Sequence, residues 1–277
     1  MTRVAVIMAV YNCKNYDMLL DSVKSIINQS FEDFEFLICN DGSDDGHKTE
    51  KYLERIKKLD PRISIYSYKI NKGPAYARNY CISKSNSEYI AIQDDDDRSR
   101  NDRLEKEFKF LDNHSQYDFV GSIARVYNEK KVWGIYTLPE YPERKNFLWN
   151  SPFANPTIMF RRNVFDAVGG YRISKETKVT AEDYDLFMRL YSKGYKGYNI
   201  QETLYDYRII NDPKVKYRKI RKRYAETIVR CKGFKQLKLG IKSLPYIVKP
   251  LVVGLIPQRF FYHIKNNQYQ CKKRKYK

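Results

Sequence analysis

The chain has 277 residues, with 52 Lys and Arg against 33 Asp and Glu, and a formal net charge of +19. The charge is segregated: residues 214–277 carry 20 basic residues and one acid, Glu226, whereas residues 1–213 carry 32 of each sign. A neutral body with a basic tail excludes a nucleic-acid-binding fold whose main domain bears the positive face, and it directs the tail toward something anionic.

Val4–Val10 is an almost unbroken apolar run, as expected of a central strand covered on both faces. It is too short for a signal peptide, and none is expected. Asp17 is placed to cap a helix whose apolar stripe is Leu19, Leu20, Val23, Ile26 and Ile27. Phe34–Cys39 predicts a second strand, ending in the turn-rich run Asn40-Asp41-Gly42-Ser43-Asp44-Asp45-Gly46. A helix, the strand Ile63–Tyr68 and a helix opened by Gly73-Pro74 follow.

Tyr89–Ile92 reads as a buried strand and leads into Asp94-Asp95-Asp96-Asp97, ahead of a helix starting near Arg103. Four like charges at the end of an apolar strand are unfavourable unless something positive sits among them. Hard cations such as Mg²⁺ take carboxylate oxygens and share them with substrate phosphates. The plain alternative is an acidic, solvated turn.

Residues 115–160 read as a mixture of strands and loops. Glu182–Ser192 predicts a helix, with Thr180 as its N-cap and Leu186, Phe187, Leu190 and Tyr191 on its apolar side. Strand–helix alternation over the first hundred residues predicts an α/β domain with a largely parallel sheet, in which ligands bind beyond the carboxyl ends of the strands. Tyr11-Asn12, Asp41 and Asp94–Asp97 all lie at such ends.

The tail divides in three. Residues 214–223 form a charge run. Residues 244–261 are apolar but interrupted by Pro245, Lys249, Pro250 and Pro257. No transmembrane span is therefore expected, since one needs about 20 apolar residues. Residues 271–277 are again basic. Basic residues around a broken apolar segment suit a membrane interface; a packed extension with a solvated basic face is the alternative. Cys13, Cys39, Cys81, Cys231 and Cys271 are odd in number and widely spaced. They indicate neither a disulfide framework nor a zinc site, and reduced thiols in a cytoplasm are the simpler reading.

The order of the motifs carries more than any one of them. Val10-Tyr11-Asn12 is followed by Asn40-Asp41-Gly42-Ser43, then Asn71-Lys72-Gly73 with Ala77-Arg78-Asn79, then Asp94–Asp97, and last Glu182-Asp183. This ordered set, over roughly residues 3–210, resembles the family 2 glycosyltransferases, the inverting family of GT-A fold.

The resemblance implies a Rossmann-like α/β domain over residues 1–213, with a central, mostly parallel mixed sheet flanked by helices. Residues 214–277 would form a basic extension. The donor would be a UDP-linked sugar, with Ala9, Tyr11, Asn12, Asp41, Lys72, Arg78, Asp94 and Asp95 on the nucleotide-sugar side. Tyr11 would pack on the base and Asp41 would accept from its imide. Asp94 and Asp96 match the two acids of the Asp-x-Asp motif and would hold Mn²⁺ or Mg²⁺; Asp97 would support them. Asp183 would be the catalytic base, with Glu182 and Asn155 on the acceptor side. The implied acceptor is a glycan or lipid-linked glycan of a bacterial capsule or O-antigen. The enzyme would sit at the inner face of the cell membrane, held through residues 214–277.

Two rivals fit less well. A nucleotidyltransferase would show a glycine-rich basic loop after the first strand, where this chain has Ala9-Val10-Tyr11-Asn12-Cys13. A nucleic-acid binder using the tyrosine-rich basic tail leaves the aspartates unexplained.

Overall fold

A computed structural model describes residues 2–128, 131–209 and 220–255. Four parallel strands form its first half: β1 (Val4–Val10), β2 (Phe34–Asn40), β3 (Ile63–Ser67) and β4 (Tyr89–Gln93), laid side by side as β3-β2-β1-β4. They are separated in the chain by α1 (Tyr16–Ile27), α2 (Lys48–Lys57) and α3 (Pro74–Ile82). The two-residue strand β5 (Arg98–Ser99) and α4 (Arg103–Asn113) follow β4.

The second half extends the same sheet with mixed directions. It contains β6 (Phe119–Tyr127), β7 (Val132–Tyr136), β8 (Met159–Arg161) and β9 (Gly197–Arg208), with α5 (Asn163–Val168) and α6 (Glu182–Ser192) between β8 and β9. The sheet continues β4-β8-β6-β9-β5, with β7 on the side of β6. β8 runs antiparallel to β4 and β6, and β6 runs parallel to β9.

Strand alternation sorts the core into two layers. In β1, Val4, Val6, Met8 and Val10 face one way and pack with Leu19, Val23 and Ile26 of α1, Leu53 and Ile56 of α2, and Leu104 and Leu111 of α4. Ala5 and Ile7 face the other way, with Ile90 and Ile92 of β4, and pack with Ala77 and Cys81 of α3 and Leu186, Phe187 and Leu190 of α6. A strand buried on both faces has no polar side to spare, which is why β1 is apolar throughout.

Two expected caps are corrected. The N-cap of α1 is Asn15, not Asp17. Asn15 has the extended backbone that a cap requires. Its Oδ1 accepts from Asp17 N at 2.8 Å and Met18 N at 3.4 Å. Thr180 does not cap α6; the cap position is Ala181, in the left-handed region at φ 61° and without a side-chain bond to the helix.

The helix α7 (Ile220–Gln236) begins inside the basic run. Its Val229 and Phe234, with Leu237 beyond its end, join the same core layer as α6. The helices touch at Gly233, where a Cβ would lie 2.2 Å from the Met188 sulfur. α8 (Leu244–Gly254) folds back on α7. Among the described residues, no helix is long and apolar enough to cross a membrane.

Candidate active site

Parallel pairing sets Val10 beside Asn40 and Met8 beside Gln93. The segments leaving β1, β2 and β4 therefore emerge at one edge of the sheet, bringing Tyr11-Asn12, Asp41 and the aspartate run together. This is the carboxyl-end crevice of an α/β sheet.

Asp41 is 2% exposed and organises the loop after β3. Its Oδ1 accepts from Tyr68 Oη at 2.7 Å and Lys72 N at 2.9 Å. Its Oδ2 accepts from Asn71 Nδ2 and Gly73 N, each at 2.9 Å. The next residue, Gly42, has φ +61°, and a Cβ there would lie 2.4 Å from the Ile70 carbonyl carbon. Only glycine meets both conditions without strain. Lys72 is exposed, its Nζ 4.2 Å from the centre of the Tyr76 ring, within reach of a cation–π contact.

Tyr11 is 44% exposed and its hydroxyl donates to Asp44 at 3.1 Å. Asn12, at φ 48°, donates from Nδ2 to the same Asp44 oxygen at 2.6 Å and accepts Asp44 N–H at 2.9 Å. The Asn12 and Tyr11 bonds hold the Asp44 carboxyl below its usual range. Ala9, half-buried, sits opposite Cys39 at the end of β1.

The four aspartates differ in exposure. Asp97 is buried and accepts Arg208 N–H at 2.6 Å; Asp96 is exposed, and Asp94 and Asp95 are half-buried. The Asp96 carbonyl, not its carboxylate, accepts from Arg208 Nε at 2.8 Å. Desolvation and then the neighbouring charges of Asp96 and Asp94 push Asp95 up to about 7. Desolvation and the Asp94 charge push Asp96 up to about 6. Burial, Asp96 and Asp94 raise Asp97 well above the carboxylate range. Desolvation leads at all three, and the repulsion between neighbouring carboxylates adds to it.

Arg78, on α3, joins this cluster to the second half of the chain. It is 7% exposed; Nη2 donates to Asp94 Oδ1 at 3.1 Å and Nη1 to Glu182 Oε1 at 2.9 Å. Burial alone would lower its pKa, but the Asp94 and Glu182 charges outweigh that and raise it. Glu182 is the first residue of α6, so this bond brings the N-terminus of α6, with Asp183, to the aspartates. Asp183 Oδ1 accepts Tyr184 N–H at 2.7 Å. The third acid of that turn, Asp185, is 3% exposed and anchors α6 through Arg189 at 2.7 Å and Arg172 at 3.3 Å.

Asn155, expected on the acceptor side, is buried beside this group rather than open to a substrate. It is 4% exposed, and its Oδ1 accepts from the buried Tyr171 hydroxyl at 2.9 Å. Tyr171 is in turn clamped by Asn79, which donates to its carbonyl at 2.8 Å and accepts its N–H at 2.9 Å. Asn155 therefore supports the loop beneath the Arg78 guanidinium, which lies 5.6 Å from the Tyr171 ring centre.

Sequence reading missed what holds the aspartate loop from behind. Gln93 is fully buried; its Nε2 donates to the carbonyls of Asp94 at 3.0 Å and Asp97 at 3.1 Å. Its Oε1 accepts from Ser99 Oγ at 2.7 Å and Arg103 Nη1 at 3.3 Å. Arg103 pairs with Glu107 at 3.0 Å, both fully buried, and burial pushes Glu107 up to about 7. The available signal was Gln93, a polar residue ending an otherwise apolar strand.

Among the described residues, no group of three or more His, Cys, Asp and Glu is arranged to hold a metal alone. The donor set still suits a divalent cation. Mg²⁺ and Mn²⁺ favour oxygen ligands, and Mg²⁺ is usually held by one or two carboxylates plus substrate phosphates. Asp96 offers an exposed carboxylate whose charge is felt together with that of Asp94.

Comparison with known proteins agrees with this geometry. Residues 5–176 match the family described as "Glycosyl transferase family 2". EpsE of Bacillus subtilis (strain 168), named as a glycosyltransferase, is 36% identical over 257 residues, covering 92% of this chain and 90% of its own. The O-antigen biosynthesis glycosyltransferase WbnJ of Escherichia coli is 34% identical over 215 residues, covering 75% of this chain and 80% of its own. Two solved structures share the fold at low identity. The Pyrobaculum calidifontis mannosyltransferase PcManGT, in complex with GDP-Man and Mn²⁺, has TM-score 0.62 at 18% identity, covering 98% of this chain and 82% of that one. S. aureus TarS 1–349, in complex with UDP-GlcNAc, has TM-score 0.61 at 16% identity, covering 90% of this chain and 79% of that one.

Proposed function

The chain belongs to glycosyl transferase family 2 and is a glycosyltransferase of GT-A fold, and from this premise we propose an inverting transfer from a UDP-linked sugar. The acceptor is a glycan or lipid-linked glycan of a bacterial surface polysaccharide. One observation carries the reading: Arg78 ties Asp94 to Glu182, so the donor-side acids and the first turn of α6 form one site. The polysaccharide setting is supported by the name of WbnJ, and the UDP-sugar by the ligand of TarS.

The Asp183 carboxylate takes the proton of the acceptor hydroxyl as that oxygen attacks the anomeric carbon. The bond from that carbon to the donor phosphate oxygen breaks, and its electron pair leaves with the nucleoside diphosphate. A single in-line attack inverts the centre and needs no covalent enzyme intermediate. A positioned base of this kind contributes typically ~10²–10⁴ in rate.

Tyr11 packs on the base, Asp41 faces its imide, Lys72 and Arg78 lie near the base or diphosphate, and Ala9, Asn12, Asp94 and Asp95 complete the nucleotide-sugar side. Glu182 lies on the acceptor side, held by Arg78. Mn²⁺ or Mg²⁺ held by Asp96 and Asp94 would neutralise charge on the leaving diphosphate. The enzyme works at the inner face of the cell membrane, held through its basic tail, of which residues 214–219 and 256–277 lie outside the described residues.

Release of free nucleotide from a panel of UDP- and GDP-sugars identifies the donor. In Asp183→Asn, transfer falls by at least ~10²-fold while UDP affinity holds; near-normal turnover would remove Asp183 from the base role.

A further inference from the structure

The described tail carries an apolar surface as well as charge. On α8 and its C-cap, Leu244, Val248, Val252 and Leu255 are 54%, 47%, 56% and 83% exposed. Their spacing of four, four and three residues sets them along one face of the helix. Ile241, 81% exposed, lies three residues before the stripe. The other side of α8 is fixed to the protein. Pro250 is buried and its carbonyl accepts from Arg223 Nη1 at 3.1 Å, while the Tyr246 carbonyl accepts from Arg230 Nη1 at 3.4 Å. Lys249 lies 3.6 Å over the ring of Trp149 and donates to the Trp149 carbonyl. The stripe is thus held outward.

The surroundings choose the occupant. Every side chain of the stripe is aliphatic, with no polar group to specify a protein partner. Residues 214–277 hold 20 Lys and Arg, and their one acid, Glu226, pairs with the buried Arg230 at 3.0 Å. An anionic bilayer supplies both complements, an apolar layer and a negative surface.

We propose that α8 lies in the interface of an anionic membrane, with Leu244, Val248, Val252 and Leu255 inserted and the net positive charge of the tail as the electrostatic complement. Its purpose rests on the lipid-linked acceptor proposed above; its test does not. A chain of packing contacts connects this helix to the first turn of α6. α8 packs on α7, the Phe234 ring of α7 meets Tyr184 at 6.5 Å, and the Arg230 guanidinium lies 5.1 Å from the Tyr184 ring centre. Tyr184 follows Asp183 directly. Docking α8 therefore fixes the position of Asp183 above the bilayer, where the hydroxyl of a lipid-linked acceptor is presented.

The experiment uses the full chain with vesicles of phosphatidylcholine, with and without phosphatidylglycerol. The wild type co-sediments with the anionic vesicles, and Val248→Asp/Val252→Asp lowers the partition constant by at least about tenfold. Trp149 is 64% exposed beside α8, whereas Trp133 is 6% exposed, so brominated lipid quenches the Trp149 emission of the wild type alone. Nucleotide release from the sugar donor is unchanged in the variant, showing that it folds. A variant that binds as the wild type does, with Trp149 unquenched in both, would overturn insertion in favour of charge alone. A wild type that ignores vesicles but self-associates through this face would assign it to a second copy. If vesicle binding behaves as stated while no sugar nucleotide is turned over, the sugar-transfer reading fails and the α8 assignment stands.

Discussion

Replacing Arg78 by Met removes the cation shared by Asp94 and Glu182 while keeping most of the side-chain volume. The Arg78 side chain is 9% exposed, Glu182 15% and Asp94 30%. Removing one partner of a fully buried pair costs about 3–5 kcal/mol, because the other charge is stranded. Here both carboxylates retain some water, so the cost falls to about 2–3 kcal/mol. At roughly 2–4 °C per kcal/mol for a chain of this size, the melting temperature drops by about 4–12 °C. Thermal unfolding followed by circular dichroism near neutral pH, without cation or nucleotide, measures it. Adding Glu182→Gln neutralises one stranded charge and recovers part of the loss, so the double variant is more stable than additivity allows. A shift below about 1 °C, or a strictly additive double variant, would refute the bridge as the joint between the two halves of the site.

Asp96→Ala abolishes cation-dependent UDP binding; an unchanged titration of UDP in the presence of Mn²⁺ would remove Asp96 from the ligand set. The pH response has a definite sign. Asp95 at about 7 and Asp96 at about 6 are both raised above the ordinary value of 3.8. Between about pH 4 and 7 the folded state therefore holds more protons than the unfolded one. Their stabilising contribution is full below that window and is lost as pH rises through the folded values. Through these two groups the cation-free protein melts lower at about pH 8 than at about pH 5, and Mn²⁺ with UDP raises the melting temperature more above the window than within it. Equal increments at the two pH values would count against the cluster as the cation site. Gly42→Ala forces a left-handed backbone, which costs about 1–2 kcal/mol, and adds a clash with the Ile70–Asn71 backbone. Denaturant unfolding checks it, and wild-type stability would show that the loop after β3 can move aside.

The elements that position the site were legible because their signals are local. β1 and β4 are apolar runs, α3 opens at Gly73-Pro74, and α6 spans the predicted Glu182–Ser192. What was not legible depends on distance along the chain. Arg78 and Glu182 are 104 residues apart and meet only because α3 and α6 share one face of the sheet. Arg103 and Glu107, four residues apart, look like a solvated helix pair, yet both are fully buried behind the aspartates. A pattern of charges on a helix does not say which side is water. The same ambiguity placed the α1 cap at Asp17 rather than Asn15, since both residues favour that role and only the backbone angles choose. It also hid the start of α7 in the basic run, because the residues that anchor it, Val229, Phe234 and Leu237, lie beyond the run.

Asp41 carries one last consequence. A carboxylate has about four lone-pair positions, and Tyr68, Asn71, Lys72 and Gly73 already supply four donors. Under the proposed role of Asp41, a pyrimidine imide would substitute for an internal donor, and base recognition would be an exchange reaction rather than an addition. Two of the four donors are backbone amides fixed by the loop, so the exchangeable ones are the Tyr68 hydroxyl and the Asn71 amide. Discrimination among nucleobases would then be set by how well each replaces the group it ejects.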